Sequence, residues 1–179
     1  GNMFKKAELD IVFEEDMLAI QWAKLLLNLN NSINALSKLP LKEQLSTRGY
    51  RQCLAMAQQE TLDLLDFSQI KIAKLTAVPT VWIPKLLSLP NPLFKLLSRK
   101  MLEIDPFARS SMQDDLIAGR ATEVDWINGE VVKLAEQCGR RAPINEKLIQ
   151  LIKQAEKMPK GFSISADALK NQLESVAKT

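Results

Sequence analysis

The sequence predicts an all-α domain, a multi-helix bundle preceded by one short strand. Three observations carry this expectation. Apolar residues recur at three- and four-residue steps along most of the chain, the period of a helix with one buried face. Prolines and glycines stand mostly at the edges of those periodic runs, where helices start and stop. Only Glu8 to Phe13 (ELDIVF) partly alternates acidic and apolar residues as a strand does. At 179 residues, with 46% hydrophobic and 25% charged, the chain has enough apolar surface for one full core, and it shows neither an internal repeat nor a long flexible linker.

Taken in order, the first helix is expected from Asp16 to about Leu36, with Leu18, Trp22, Leu25, Leu29, Ile33 and Leu36 as its apolar stripe, and Pro40 ends it. A short helical turn over Leu41 to Thr47 passes through Gly49 into a second long helix, Tyr50 to Phe67, which turns Cys53, Met56, Leu62 and Leu65 to the core. From Lys71 to Pro106 the prolines at 79, 84, 90, 92 and 106 cut an apolar stretch into short pieces, predicting short helices that meet at angles. This segment reads either as an irregular cover on the core or as a dimer surface or lid. A helix over Ala108 to Ala118 should end at Gly119 in a left-handed cap. Thr122 then reads as the N-cap of the next helix, with Asp125 three residues on as its capping-box partner. Val124, Ile127, Val131, Leu134 and Cys138 keep helical spacing up to Gly139. Pro143 suits the first turn of a core helix running to about Lys157, and Ser165 caps a last helix toward Val176.

Composition narrows the chemistry. The net charge is +3, with basic residues scattered among nearly as many acidic ones, so no nucleic-acid-binding arm or stripe is present. No apolar run reaches the roughly 18 residues of a membrane span, and the opening residues lack the apolar core of a secretory signal, which makes the cytoplasm the default location. Cys53 and Cys138 lie far apart on apolar helix patterns and read as reduced thiols; with no histidine, no metal site is expected. The missing histidine also removes the commonest general acid, leaving proton transfer to Lys, Glu, Asp, Tyr or Cys.

One polar line stands out. Lys24, Asn28 and Asn31 follow at four- and three-residue steps and fall on nearly one helix face at about 3.6 residues per turn. Asparagine is a poor helix former, so Asn28, Asn30, Asn31 and Asn34 in one helix indicate either a helix terminus placed elsewhere than expected or a buried polar site that needs amides. Ser110, Ser111, Glu123 and Asp125 have a plain explanation as residues that start helices.

The order Trp22-Ala23-Lys24-Leu25-Leu26-Leu27-Asn28, Ser110-Ser111-Met112-Gln113-Asp114, Gly119-Arg120-Ala121-Thr122-Glu123-Val124-Asp125, Asn128-Gly129, and Gly139 ahead of Pro143-Ile144-Asn145 resembles the C-terminal helical domain of ketopantoate reductases (2-dehydropantoate 2-reductases), from the strand near Glu8 to the helix ending near Lys157. The resemblance implies reduction of the ketone of 2-dehydropantoate, or a related 2-oxo acid, by NADPH in pantothenate biosynthesis. By that likeness Lys24 is the general acid that polarises and protonates the carbonyl, and Glu123 the active-site glutamate that hydrogen-bonds a substrate hydroxyl. Asn28 helps to hold the reacting group, and Ser111 contacts the substrate carboxylate. A second family asparagine falls at Ser32, so Asn31 stands first as its substitute on helical geometry, with Asn34 also adjacent. The proline-rich stretch looks longer than in compact family members, which bears on which 2-oxo acid fits.

The chain has no G-x-G-x-x-G turn and no run of βαβ units. The expected organisation is therefore residues 1–13 as a remnant of an interdomain segment, residues 14–179 as an all-α substrate-binding and catalytic domain, and an NADP-binding Rossmann domain absent from this chain. Alone, such a chain should be inactive. The expected partner is a small 2-oxo acid, with no nucleic acid or membrane and with a homodimer as one reading of the proline-rich segment. From a different class comes the alternative of a helical interaction or dimerisation module that kept the fold without catalysis.

Overall fold

The computed structural model describes residues 14–98, 105–158 and 162–178. Among them are ten α-helices and no strand: α1 Glu14–Asn28, α2 Asn30–Ser37, α3 Leu41–Ser46, α4 Arg48–Phe67, α5 Ile83–Leu87, α6 Asn91–Leu97, α7 Ser111–Ala118, α8 Val124–Gln137, α9 Pro143–Lys157 and α10 Ala166–Ala177, with a single 3₁₀ turn at Thr80–Trp82. The strand expected at Glu8 to Phe13 lies outside the described residues. No helix among them is long and apolar enough to cross a membrane.

The first expected helix is two helices. The break falls at Leu29, between Asn28, the last residue of α1, and Asn30, the first of α2. The Leu26 carbonyl beside the break accepts from Gln58 Nε2 of α4 at 2.9 Å, and Ser32 Oγ donates to Leu29 O at 3.1 Å. Poor helix formers flank a real helix end, and a buried amide from another helix meets its backbone. The stripe is also turned by one residue in α1. Ala19, Ala23 and Leu26 are buried, whereas Leu18 is 43% exposed and Trp22 and Leu25 are half-buried. From Leu29 onward the expected Leu29, Ile33 and Leu36 do enter the core.

α4 runs through the middle of the bundle and packs against α2, α3, α5, α9 and α10. Gly49, expected in a turn, is the second residue of α4, and a Cβ there would sit 2.8 Å from Ala166 Cβ at the start of α10. Nearby, Tyr50 Oη donates to Ile164 O at 2.8 Å. The proline-rich stretch forms short helices, as expected, with Pro84 and Pro92 in their first turns. They are pinned by Arg51 of α4. This fully buried guanidinium donates to the carbonyls of Leu87, Leu45, Ser46 and Leu89 and to Asn91 Oδ1, and lies 4.0 Å over the Phe94 ring. Leu93, Leu96 and Leu97 on the outer side of α6 remain exposed.

Buried polar contacts join the last core helices. Asn128 Nδ2 donates to Asn145 Oδ1 (2.9 Å), and Asn145 Nδ2 donates to Glu60 Oε2 (2.8 Å). The Glu60 carboxylate also takes the amides of Ile144 (2.9 Å) and Asn145 (3.0 Å), so a residue of α4 satisfies the first turn of α9. Burial pushes the Glu60 carboxyl above its ordinary range, against the pull of those donors.

Candidate active site

α7 is placed by its start. Ser110 is the N-cap, its hydroxyl accepting from Gln113 N at 3.2 Å, so the helix begins at Ser111 rather than at Ala108. The Ser110 amide donates to Asn34 Oδ1 at 2.9 Å, while Asn34 Nδ2 donates to Leu39 O at 2.9 Å. The fully buried Asn34 amide thus latches α7 to the end of α2, and it has no surface to offer a ligand. Ser110 Oγ also donates to Asn31 O at 3.4 Å next to the α1–α2 break, where Asn31 is half-buried, while Ser111 is exposed. Ser32 is fully buried with its hydroxyl given to Leu29.

Lys24 and Asn28 stand one helical turn apart on the exposed side of α1. Met17 (48% exposed), Leu18 (43%) and Leu27 (37%) are exposed on the same helix, as is Gln21. No described residue forms an ion pair with it.

Gly119 ends α7 in the left-handed conformation expected of it (φ 67°), and the chain turns directly into α8. Here the expected capping box does not form. The N-cap is Glu123, and its side chain makes no capping bond. Thr122 instead gives both its amide (2.8 Å) and its hydroxyl (2.7 Å) to Glu156 Oε1 on α9, leaving only a long 3.4 Å contact from Val124 N to its Oγ1. Asp125 does not reach back, because Lys153 of α9 holds its Oδ2 at 2.6 Å. Lys153 is also 3.4 Å from Glu156 Oε2. Burial would raise the Glu156 carboxyl, but the Thr122 donors and the Lys153 ammonium outweigh it and leave the group below its ordinary value. The hydrogen bond to Asp125 holds the Lys153 ammonium above its ordinary value, against some desolvation.

The structure therefore docks Ser110, the residue before Ser111, on the Asn31 carbonyl, places Lys24 one turn from Asn28 on α1, and frames Glu123 between two residues held by α9. No hydrogen bond or ion pair among the described residues joins Lys24, Ser111 and Glu123 to one another. Chemically, the set offers an ammonium that can protonate a carbonyl oxygen, a free carboxylate that can accept from a hydroxyl, and a serine and amides that can orient a polar ligand. Sequence reasoning missed Glu156, Lys153 and Gln58. Glu156 and Lys153 carry an i,i+3 charge pattern that reads as an ordinary helix surface, and Gln58 carries no signal at all.

Comparison with known proteins agrees with this architecture. The family described as "Ketopantoate reductase PanE/ApbA C terminal" matches residues 16–156. A 2-dehydropantoate 2-reductase of Pyrobaculum aerophilum is 31% identical over 146 residues, 80% of this chain and 46% of that protein. Its counterpart in Archaeoglobus fulgidus is 41% identical over 58 residues, 32% of this chain and 20% of that protein. The crystal structure of a PanE/ApbA family ketopantoate reductase from Ralstonia eutropha shares the fold, with a TM-score of 0.56 at 24% identity over 75% of this chain and 40% of that one. The chain spans less than half the length of these relatives.

Proposed function

Because the chain belongs to the ketopantoate reductase family, matching its C-terminal domain over residues 16–156, we propose that it is the substrate-binding and catalytic half of an NADPH-dependent reductase of 2-dehydropantoate or a related 2-oxo acid. The observation that carries this reading is the exposed Lys24 ammonium, free of any ion pair among the described residues and one turn from Asn28. In a chain without histidine, it is a group that can give a proton to a ketone oxygen.

In this proposal Lys24 Nζ polarises the ketone and protonates the oxygen as negative charge develops on it, and Asn28 orients the same oxygen. Glu123 accepts from a substrate hydroxyl and Ser111 donates to the substrate carboxylate. Asn31 replaces the second family asparagine, since Ser32 is enclosed in the core. The cofactor would supply the hydride. The described residues do not suit the dinucleotide: they form helices alone, with no strand-to-helix glycine turn whose amides could cradle a pyrophosphate. We therefore assign it to a separate N-terminal domain. Exposed Met17, Leu18 and Leu27 on the helix that carries Lys24 support a second domain packing against α1.

Lys24→Ala in the complete reductase tests the assignment. Loss of a general acid should lower kcat by about 10²- to 10⁴-fold with the circular dichroism spectrum unchanged. Turnover within a few-fold of wild type would remove Lys24 from the mechanism and favour an interaction module that kept only the fold.

A further inference from the structure

The first amides of a helix need acceptors, and a carboxylate at the N-cap ordinarily supplies one. In α8 the carboxylate so placed is Glu123, yet it makes no capping bond. Glu156 instead grips the chain just ahead of the helix, taking the buried Thr122 through both its amide and its hydroxyl. Two residues past Glu123, Asp125 is held by Lys153. Both grips come from one turn of α9, with Lys153 and Glu156 themselves 3.4 Å apart. The Glu123 backbone is thus fixed on each side while its carboxylate stays uncommitted.

We propose that Glu156, aided by Lys153, is a positioning residue for Glu123: it ties down the residue just before Glu123 and holds the turn so that the Glu123 carboxylate meets a substrate hydroxyl at a set place. This inference rests on the reading of Glu123 as a substrate-binding residue. A site built this way gains binding from order already present in the free protein, and a small displacement of the turn weakens it.

The test uses the complete reductase and measures KM for 2-dehydropantoate, kcat and Tm for each variant. Glu156→Ala should raise KM about tenfold with a smaller change in kcat. Glu156→Gln, whose amide oxygen still accepts from Thr122, should recover most of that loss. In a Glu123→Ala background, Glu156→Ala should leave KM unchanged, because there is no carboxylate left to place. A lowered Tm with unchanged KM, or full additivity in that background, would make Glu156 only a brace and overturn the proposal while leaving the role of Glu123 standing. If Glu123→Ala itself left KM unaltered, the substrate reading would fail and take this inference with it. Should Glu156→Ala not fold, Thr122→Val removes one of the two bonds isosterically; it should raise KM by about threefold, and an unchanged KM overturns the proposal.

Discussion

Asn34 offers a sharp test of how the site is held, because one enclosed side-chain amide ties α2 both to the N-cap of α7 and to the chain that follows α2. Its Oδ1 accepts from Ser110 N at 2.9 Å and its Nδ2 donates to Leu39 O at 2.9 Å. Asn34→Ala strands the buried Ser110 amide and the part-buried Leu39 carbonyl. At about 1–3 kcal/mol for each unmet buried group, with the carbonyl at the lower end, the loss should be about 2–5 kcal/mol. For a chain of this size that is a fall in Tm of roughly 4–20 °C, with the chain still folded at 25 °C. Asn34→Asp separates the two bonds. The new carboxyl keeps an acceptor for Ser110 N but, when ionised, turns an oxygen toward the Leu39 carbonyl. Burial and that carbonyl raise its folded pKa above the unfolded value, so the folded state binds the proton more tightly. Stability should be greatest below the unfolded carboxyl pKa and fall as pH rises through the folded one. Urea titrations followed at 222 nm, repeated from pH 4 to 8, measure both effects. Asn34→Ala within about 0.5 kcal/mol of wild type, or an Asn34→Asp variant whose stability relative to wild type is greater at pH 8 than at pH 4, would refute the latch.

Other substitutions probe the surrounding structure. Gly49→Ala forces a Cβ to 2.8 Å from Ala166 Cβ and should destabilise by about 1–2 kcal/mol despite the better helix propensity, with Ala166→Gly restoring the loss in a double-mutant cycle. Arg51→Met keeps apolar bulk over Phe94 but abandons five acceptors, and should cost about 3–5 kcal/mol in urea unfolding and raise hydrogen exchange across α5 and α6. Glu156 has a folded pKa below its unfolded value, so its contribution is present above the unfolded pKa and is lost as pH falls through the folded one; Glu156→Gln should remove that part of the acid sensitivity. Glu60, shifted upward, acts with the opposite sign, which is why the difference between wild type and variant is the quantity to measure.

What the sequence conveyed and what it withheld divide by range. Pro143 at the start of α9, Gly119 at the end of α7 and Ser165 before α10 each act within one helical turn, and the structure puts those boundaries where the residues predict them. The break at Leu29 was legible only as an excess of asparagine, because the amide that meets the Leu26 carbonyl beside it comes from Gln58, 32 residues beyond Leu26. The capping box at Thr122 and Asp125 satisfied every local rule and still lost to Glu156 and Lys153, whose charge-assisted bonds are stronger and come from a neighbouring helix. In α1 the spacing was right and the phase was not. Periodicity sets how often a side chain faces the core, while the packing partner decides which residue it is. Among the asparagines, composition could not separate the enclosed Asn34 from the exposed Asn28; the docking of α7 does.

The Asn128–Asn145–Glu60 chain of hydrogen bonds bears on how relatives should be sorted. Asn128-Gly129 and Pro143-Ile144-Asn145 are among the motifs by which the sequence resembles reductases, yet in the structure both asparagines are spent on aligning α8, α9 and α4. They are signatures of architecture. A homologue that keeps them and replaces Lys24 or Glu123 would still build this bundle, and a search weighted on them would gather such proteins under an enzyme name they had outlived. Classification by chemistry has to be read at the exposed positions, where folding imposes the fewest demands and a retained lysine or glutamate therefore says the most.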